Sequence, residues 1–259
     1  WRTGESRTWS SGGKLDRAAR RRLQREIERA RAEREQEGAQ RHEQAAEEAR
    51  KILEGLPPAS DENPYLKAKG VKPCQGLRAD GEALVVPVLG EGGKPMSLQR
   101  IKPDGWKGFH PGGRTKGGWF AIRGDDGTLY VVEGIATGLS IHEATGATVL
   151  VAFTAGNLEA VARMARARYP DRDIIIAADN DAETEARTGK NPGREAAQAT
   201  ALAVGGKVAL PAFQEGDGTD FNDLHQAEGL EAVVKALEQA VEPPAVEVED
   251  DWPDPVPLP

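Results

Sequence analysis

The chain is poor in the residues that form disulfide or metal–thiolate frameworks, and it lacks long apolar runs. Its 259 residues include a single cysteine, Cys74, which excludes an intrachain disulfide and any zinc site with two or more cysteine ligands. No apolar run approaches the roughly 20 residues that span a bilayer, and there is no secretory signal pattern. We therefore expect a protein of the reducing cytoplasm with no membrane association.

The net charge of −8 is distributed unevenly along the chain. Residues 241–259 contain six acidic and no basic side chains, residues 64–123 contain 11 basic against 4 acidic, and residues 129–240 contain 9 basic against 17 acidic. A basic segment beside an acidic one suits an enzyme that binds a polyanion with one part and cations with the other.

Three short apolar runs dominate the second half of the chain. Leu129–Val132, Thr148–Phe153 and Ile174–Ala178 are rich in β-branched residues and end in acidic or small polar residues, which is typical of strands buried on both faces. Helical patterns alternate with them, at residues 136–144, 158–168 and 195–203, and a fourth strand is predicted at 207–210. This alternation predicts right-handed βαβ units and a parallel sheet.

Acidic residues follow these strands where ligands gather in parallel sheets, beyond the carboxyl ends. Glu133 follows the first strand, and Asp179 and Asp181 follow the third. Asp220 and Asp223 lie in a loop after the fourth strand. Together they predict an oxygen-only site for Mg²⁺ or Mn²⁺. Two structural interpretations remain open: an Asx-rich turn at 179–181, and a helix N-cap at Asp220 with Asp223 completing a capping-box-like pair.

The first half of the chain predicts a long helix and a small β-rich module. Residues 14–54 are charged and alanine-rich and end before Pro57 and Pro58. We favour a solvated spacer helix; the alternative is a nucleic-acid arm, because residues 14–31 hold 8 basic against 3 acidic groups. Strands are predicted at 84–89 and 96–101, with Pro87 best placed on an edge. A single amphipathic helix is expected at 220–240.

A glycine-rich stretch at 109–119 contains Arg114 and Lys116. It has two equally weighted interpretations, a loop that lets backbone amides approach a phosphate or an ordinary mobile hairpin. We expect packing, rather than base stacking, of Trp106 and Trp119.

Several motifs together resemble a known family. The stretch 132–140 (VEGIATGLS), the Asp-x-Asp of Asp179 and Asp181, and the Asp-x-Asn-Asp of residues 220–223 are similar to the Toprim domain of bacterial-type primases, topoisomerases and nucleases. The closest resemblance is to primases of plasmids, phages and integrative elements. It implies an α/β fold: a Toprim domain, which is a Rossmann-like parallel sheet with flanking helices, preceded by a small β-rich basic subdomain and a long charged N-terminal helix. The expected limits are 1–56 for the N-terminal segment and helix, 57–127 for the basic subdomain, 128–240 for the Toprim domain and 241–259 for an acidic, proline-rich linker.

The resemblance also implies a function, the synthesis of short primers on single-stranded DNA from nucleoside triphosphates for replication of a mobile element. Two divalent ions, Mg²⁺ or Mn²⁺, are implied as cofactors, with Glu133, Asp179 and Asp181 catalytic and Asp220 and Asp223 as further ligands. Thr137 stands where the bacterial primase pattern has another Asp. The basic residues implied in binding template or nucleotide are Lys69, Arg78, Arg100, Lys102, Lys107, Arg114 and Lys116. We expect the chain to be part of a longer primase or primase–helicase, with a helicase domain or protein on its C-terminal side.

Three other functions were weighed. A Toprim nuclease would use the same carboxylates with water as the nucleophile, and a catalytically silent module would bind DNA alone. A haloacid-dehalogenase-type phosphatase is disfavoured, because that family carries its Asp-x-Asp after the first strand rather than the third.

Overall fold

The computed structural model describes residues 17–180, 182–213 and 218–244. Within them the strands are β1 (Arg78–Asp80), β2 (Ala83–Leu89), β3 (Pro95–Ile101), β4 (Lys107–Phe109), β5 (Phe120–Ile122), β6 (Asp125–Val132), β7 (Ala147–Val151), β8 (Ile174–Ala177) and β9 (Lys207–Ala209). The helices are α1 (Arg17–Gly55), α2 (Pro64–Lys69), α3 (Ile135–Thr145), α4 (Leu158–Arg168), α5 (Ala182–Thr188), α6 (Pro192–Val204), α7 (Phe221–Glu228) and α8 (Leu230–Glu238). The predicted α/β fold class is confirmed.

The larger sheet contains the predicted parallel strands. Its order is β5-β7-β6-β8-β9, in which β6 to β9 run parallel and β5 pairs antiparallel with β7 at one edge. Val132 at the end of β6 pairs with Ala177 at the end of β8. The segments that continue from these two strands therefore leave the sheet side by side at the same edge, which places Glu133 near Asp179.

Both faces of the larger sheet are covered. Leu129 and Val131 of β6 pack with α4 and α6, whereas Tyr130 and Val132 belong to the cluster that contains α3 and α8. This alternation across two buried faces explains why the strands read as continuous apolar runs.

The smaller sheet is antiparallel, with the order β1-β2-β3-β4. Pro87 pairs with Leu98 of β3, while β1 covers β2 only as far as Val85. Pro87 thus lies on a local edge, where its missing N–H removes no ladder hydrogen bond. Leu84, Val86 and Val88 share one hydrophobic cluster with the larger sheet, so the two sheets are joined by a common core.

The expected domain limits stay a prediction. In the structure β5 and the first residues of β6, which precede position 128, already belong to the larger sheet.

The long N-terminal helix is continuous through Gly38. Its second half packs on β3, where Ala45, Ala49 and Leu53 are buried against the smaller sheet. Its first half lies in solvent from Arg20 to Arg29. None of the described helices is long and apolar enough to cross a bilayer.

The prediction of a single helix at 220–240 is wrong. The segment forms α7 and α8, which are separated by Gly229 at φ 85° and ψ 177°. This backbone conformation is open essentially only to glycine, and it redirects the chain between the two amphipathic faces. The apolar period continues across the break, which is why the pattern alone suggested one helix.

Candidate active site

A pocket of about 130 Å³ opens at the carboxyl edge of β6 and β8. One wall comes from the larger sheet and the loops beyond it, and the other comes from α2 and the smaller sheet. The lining residues are Tyr65, Lys69, Gln99, Lys107, Glu133, Gly134, Ile135, Ala136, Thr137, Phe153, Asp179 and Asp220. Three of the five predicted acidic residues and two of the seven predicted basic residues therefore meet in one cavity.

Glu133 is held at the rim by the end of the neighbouring strand. Its carbonyl oxygen accepts a hydrogen bond from the N–H of Phe153 at 2.9 Å. Phe153 adopts φ 69°, a left-handed conformation that costs a bulky residue on the order of 1–3 kcal/mol. Its ring contacts Phe109 of β4 edge to face, with centroids 5.9 Å apart. The strained residue thus links the Glu133 backbone to the smaller sheet.

Asp179 is half-buried two residues beyond β8. The residues on either side of it are fixed, because Ala178 N–H donates to the Ala209 carbonyl at 3.0 Å and Asn180 N–H donates to the Thr219 carbonyl at 2.6 Å. These contacts bring the loop after β9 against the loop after β8. Asp181 lies outside the described residues.

The N-cap interpretation of Asp220 is confirmed. Its Oδ1 accepts hydrogen bonds from the N–H groups of Asn222 and Asp223, at 2.7 and 2.9 Å, at the start of α7. Asp220 also lines the pocket, so capping and a pocket position coexist. Asp223 has different contacts: its Oδ2 accepts from the N–H and hydroxyl of Thr219, and its Oδ1 lies 4.0 Å from Lys69 Nζ.

Asn222 is a buried hub that the sequence reasoning missed. Its side chain is fully buried and donates from Nδ2 to the Lys69 carbonyl at 2.7 Å and to Ser140 Oγ at 3.0 Å. Its Oδ1 accepts from Gln226 Nε2 at 2.8 Å. Asn222 therefore connects α2, which carries Lys69, to α3 and α7 of the larger layer.

Tyr65 is a second residue that the sequence reasoning passed over. It is 2% exposed, and among the described residues its hydroxyl has no hydrogen-bond partner. Burial, reinforced by the negative charge of Asp220, raises the pKa of this hydroxyl to about 12. A neutral O–H donor is therefore held beside the acidic wall of the pocket.

The other predicted basic residues lie outside the pocket lining. Arg100 Nε contacts Asp80 Oδ2 at 3.0 Å, Arg78 donates to the Leu77 carbonyl at 3.3 Å, and Lys102 Nζ lies 4.8 Å from the centre of the Trp106 ring. Trp106 is 54% exposed, so the expected packing role is wrong for this residue. Trp119 is half-buried and packs against the core, as expected.

The glycine-rich loop is tied to the fold at both ends. Asn157 accepts from Gly117 N–H at 2.7 Å and donates to the Gly118 carbonyl at 2.7 Å, and His42 Nδ1 lies 2.9 Å from the Gly112 carbonyl oxygen. A Cβ at Gly118 would approach Val88 to 2.4 Å, so the backbone packs where only glycine fits. Arg114 and Lys116 are exposed on this anchored loop.

The donor chemistry of the pocket fits a hard divalent cation. Glu133, Asp179 and Asp220 offer carboxylate oxygens, which Mg²⁺ and Mn²⁺ prefer. In the described part of the chain, no three His, Cys, Asp or Glu side chains converge closely enough to hold a metal ion. Thr137 lines the pocket at the position of the family's further Asp.

Comparison with known families identifies the larger layer. The Toprim domain family matches residues 128–231. That match, together with the parallel sheet and its acidic edge, shows that this part of the chain is a Toprim domain.

The chain resembles particular primases over most of its length. It is 35% identical to a DNA primase TraC of Escherichia coli over 231 residues. The alignment covers 86% of this chain and 22% of that protein. A second Escherichia coli DNA primase TraC is 36% identical over 231 residues, covering 86% of this chain and 16% of that protein. The chain thus spans about a fifth of the length of these relatives or less. Among solved structures, the DnaG primase catalytic domain bound to ssDNA aligns with a TM-score of 0.49 and 14% identity over 82% of this chain and 83% of that one.

Proposed function

We propose that the chain is the catalytic core of a DNA primase, which synthesises short oligonucleotide primers on single-stranded DNA for replication of a mobile element. The observation that carries the proposal is the pocket in which Glu133, Asp179 and Asp220 face Lys69 and Lys107. Acidic and basic walls suit a reaction that joins a nucleotide hydroxyl to a triphosphate. The identity to relatives named as DNA primases supports the same reaction.

The acidic wall is proposed to hold two divalent ions, Mg²⁺ or Mn²⁺. Asp179 and Asp181 are the proposed main ligands, Asp220 and Asp223 support them, and Glu133 is a ligand or the base that accepts the hydroxyl proton. When bound, such ions supply charge neutralisation at the triphosphate and activation of the attacking hydroxyl. The Asp220 cap contacts fix this carboxylate by two backbone N–H groups, which limits the reorganisation that ion binding requires.

The basic wall is proposed to bind the polyanionic substrates. Lys69 and Lys107 line the pocket, and we propose that they contact triphosphate oxygens. The remaining basic residues, Arg78, Arg100, Lys102, Arg114 and Lys116, are assigned to the template or to incoming nucleotides. Arg114 and Lys116 are the strongest of these, because their loop is anchored and their side chains are exposed. Further proposed features are a helicase domain or protein on the C-terminal side and a cytoplasmic location.

Primer extension on single-stranded DNA with labelled nucleoside triphosphates and Mg²⁺ or Mn²⁺ tests the proposal. We expect Asp179→Asn and Glu133→Gln to reduce product by at least about 100-fold, since each removes a charged ligand or base. Asp171→Asn is the matched control, because this exposed carboxylate lies at the opposite end of β8. Equal product in all four proteins would refute the assignment.

The same assay separates the alternatives. Degradation of DNA without nucleoside triphosphates would indicate a Toprim nuclease. Metal-independent binding of single-stranded DNA without synthesis would indicate a catalytically silent module.

A further inference from the structure

The first half of α1 has an unusual charge. Between residues 17 and 34 it contains eight basic and three acidic residues, whereas residues 35–55 contain three basic and six acidic residues. The basic residues from 17 to 41 are all arginine, while residues 64–123 use seven lysines and four arginines. Arginine presents a planar fork of donors that matches phosphate, so its exclusive use here points to phosphate recognition rather than to solubility alone.

Five residues in the first half of α1, three of them arginines, form one stripe along the helix. Arg20, Leu23, Ile27, Arg31 and Arg34 follow each other at spacings of three and four, which places them on a single face. All five are exposed, with Leu23 and Ile27 each at 46%. The acidic residues of this half, Glu26, Glu28 and Glu33, fall off the stripe. We call these five residues the arginine stripe.

The arginine stripe continues the face by which α1 packs on the protein. The same three-and-four spacing runs on through Gly38 and His42 to the buried residues Ala45 and Ala49. His42 contacts the Gly112 carbonyl at 2.9 Å, at the edge of the anchored loop that carries Arg114 and Lys116. Arg34 precedes His42 by eight residues, or roughly 12 Å along the helix axis. The stripe therefore lies on the same face of α1 as His42, which contacts the loop that carries Arg114 and Lys116.

We infer that the arginine stripe binds a strand of single-stranded DNA that continues outward from the loop at Gly112–Gly118. The three arginines contact phosphates, and Leu23 and Ile27 pack against sugars or the faces of bases. A strand on this path lies outside the pocket. The inference thus adds a binding surface to the proposed function without depending on catalysis.

Salt-dependent binding of a fluorescent oligonucleotide to the whole chain tests the inference. We compare Arg20→Gln/Arg31→Gln/Arg34→Gln with Arg21→Gln/Arg22→Gln/Arg25→Gln, which removes the same charge from other faces of the same half-helix. Glutamine retains helix propensity, and circular dichroism checks the fold. The stripe variant is expected to lower the slope of log K against log salt by about 2, since each lost phosphate contact contributes about 0.7. At 0.1 M salt this corresponds to roughly 100-fold weaker binding.

The matched variant is expected to change the slope by less than half as much. An equal loss of affinity in both variants would mean that only the overall charge of the helix matters. Unchanged affinity in both variants would mean that the stripe serves another partner. Either result overturns the inference. Leu23→Ser/Ile27→Ser is expected to weaken binding with the slope preserved. Because Asp179→Asn should retain the full slope, a failure of primer synthesis and a failure of this inference are distinguishable.

Discussion

Replacing Asn222 tests whether the two walls of the pocket are held together as the structure indicates. Asn222→Ala removes hydrogen bonds of 2.7 Å to the Lys69 carbonyl, 3.0 Å to Ser140 Oγ and 2.8 Å from Gln226 Nε2. Each bond contributes about 1 kcal/mol net, and a buried acceptor left without a donor adds a further penalty of about 1 kcal/mol or more. Since the side chain is fully buried, we expect the free energy of unfolding to fall by about 3–4 kcal/mol.

Urea unfolding followed by circular dichroism measures this change. Gln226→Ala is the matched control, because it removes only the bond to Asn222 Oδ1 and is expected to cost about 1 kcal/mol or less. Asn222→Asp keeps the shape but loses both donors and places a carboxylate against the Lys69 carbonyl, so it should cost at least as much as alanine. If Asn222→Ala came within 1 kcal/mol of Gln226→Ala, the hub would not hold α2 on the larger layer.

Three further predictions follow from single positions. Tyr65→Phe should leave the free energy of unfolding unchanged or raise it by about 1 kcal/mol, because it removes a buried hydroxyl without a described partner. Primer synthesis should fall in the same variant. A decrease of more than about 1 kcal/mol in the free energy of unfolding, measured in urea, would contradict the stability prediction. Burial raises the pKa of the Cys74 thiol to about 12. Alkylation at pH 8 should therefore be roughly 10- to 100-fold slower in the folded protein than in urea, because the smaller thiolate fraction is only partly offset by the higher nucleophilicity of a more basic thiolate. Equal rates would refute the burial. Gly229→Ala should destabilise by about 1–3 kcal/mol through its φ of 85°, whereas Gly156→Ala, where an added Cβ meets nothing within 4 Å, should be close to neutral.

The two walls of the pocket come from different layers of the fold, and the distance between them depends on the contacts that join those layers. Its acidic wall rests on the ends of β6 and β8, which are fixed by pairing and by packing on two faces. Its basic wall rests on α2 and the smaller sheet, and is joined to the acidic wall by Asn222 and by the contact of Phe109 with Phe153. A change at either connection is expected to alter the distance between carboxylates and lysines without removing any of them.

Local sequence patterns were sufficient for much of the larger layer. The apolar runs that became β6, β7 and β8 are strands because β-branched residues pack well on a sheet buried on both faces. The acidic residues after β6 and β8 could be placed at one edge, because parallel connections return every strand to the same end. Gly229 was misread because one apolar period ran across it and its positive φ is invisible in the pattern.

The sequence by itself determined the parallel sheet, the acidic edge and the long charged helix, because each depends on periodicity and on residues close along the chain. Only the tertiary structure decided that Tyr65, Lys69 and Lys107 form the opposite wall of the pocket, since they come from segments 26 or more residues before Glu133. It also decided that Asn222 is a hub and that Asn157 fixes the glycine-rich loop, because buried polar groups take their partners from whatever segments packing brings near. The spacing of residues along the chain does not predict such partners.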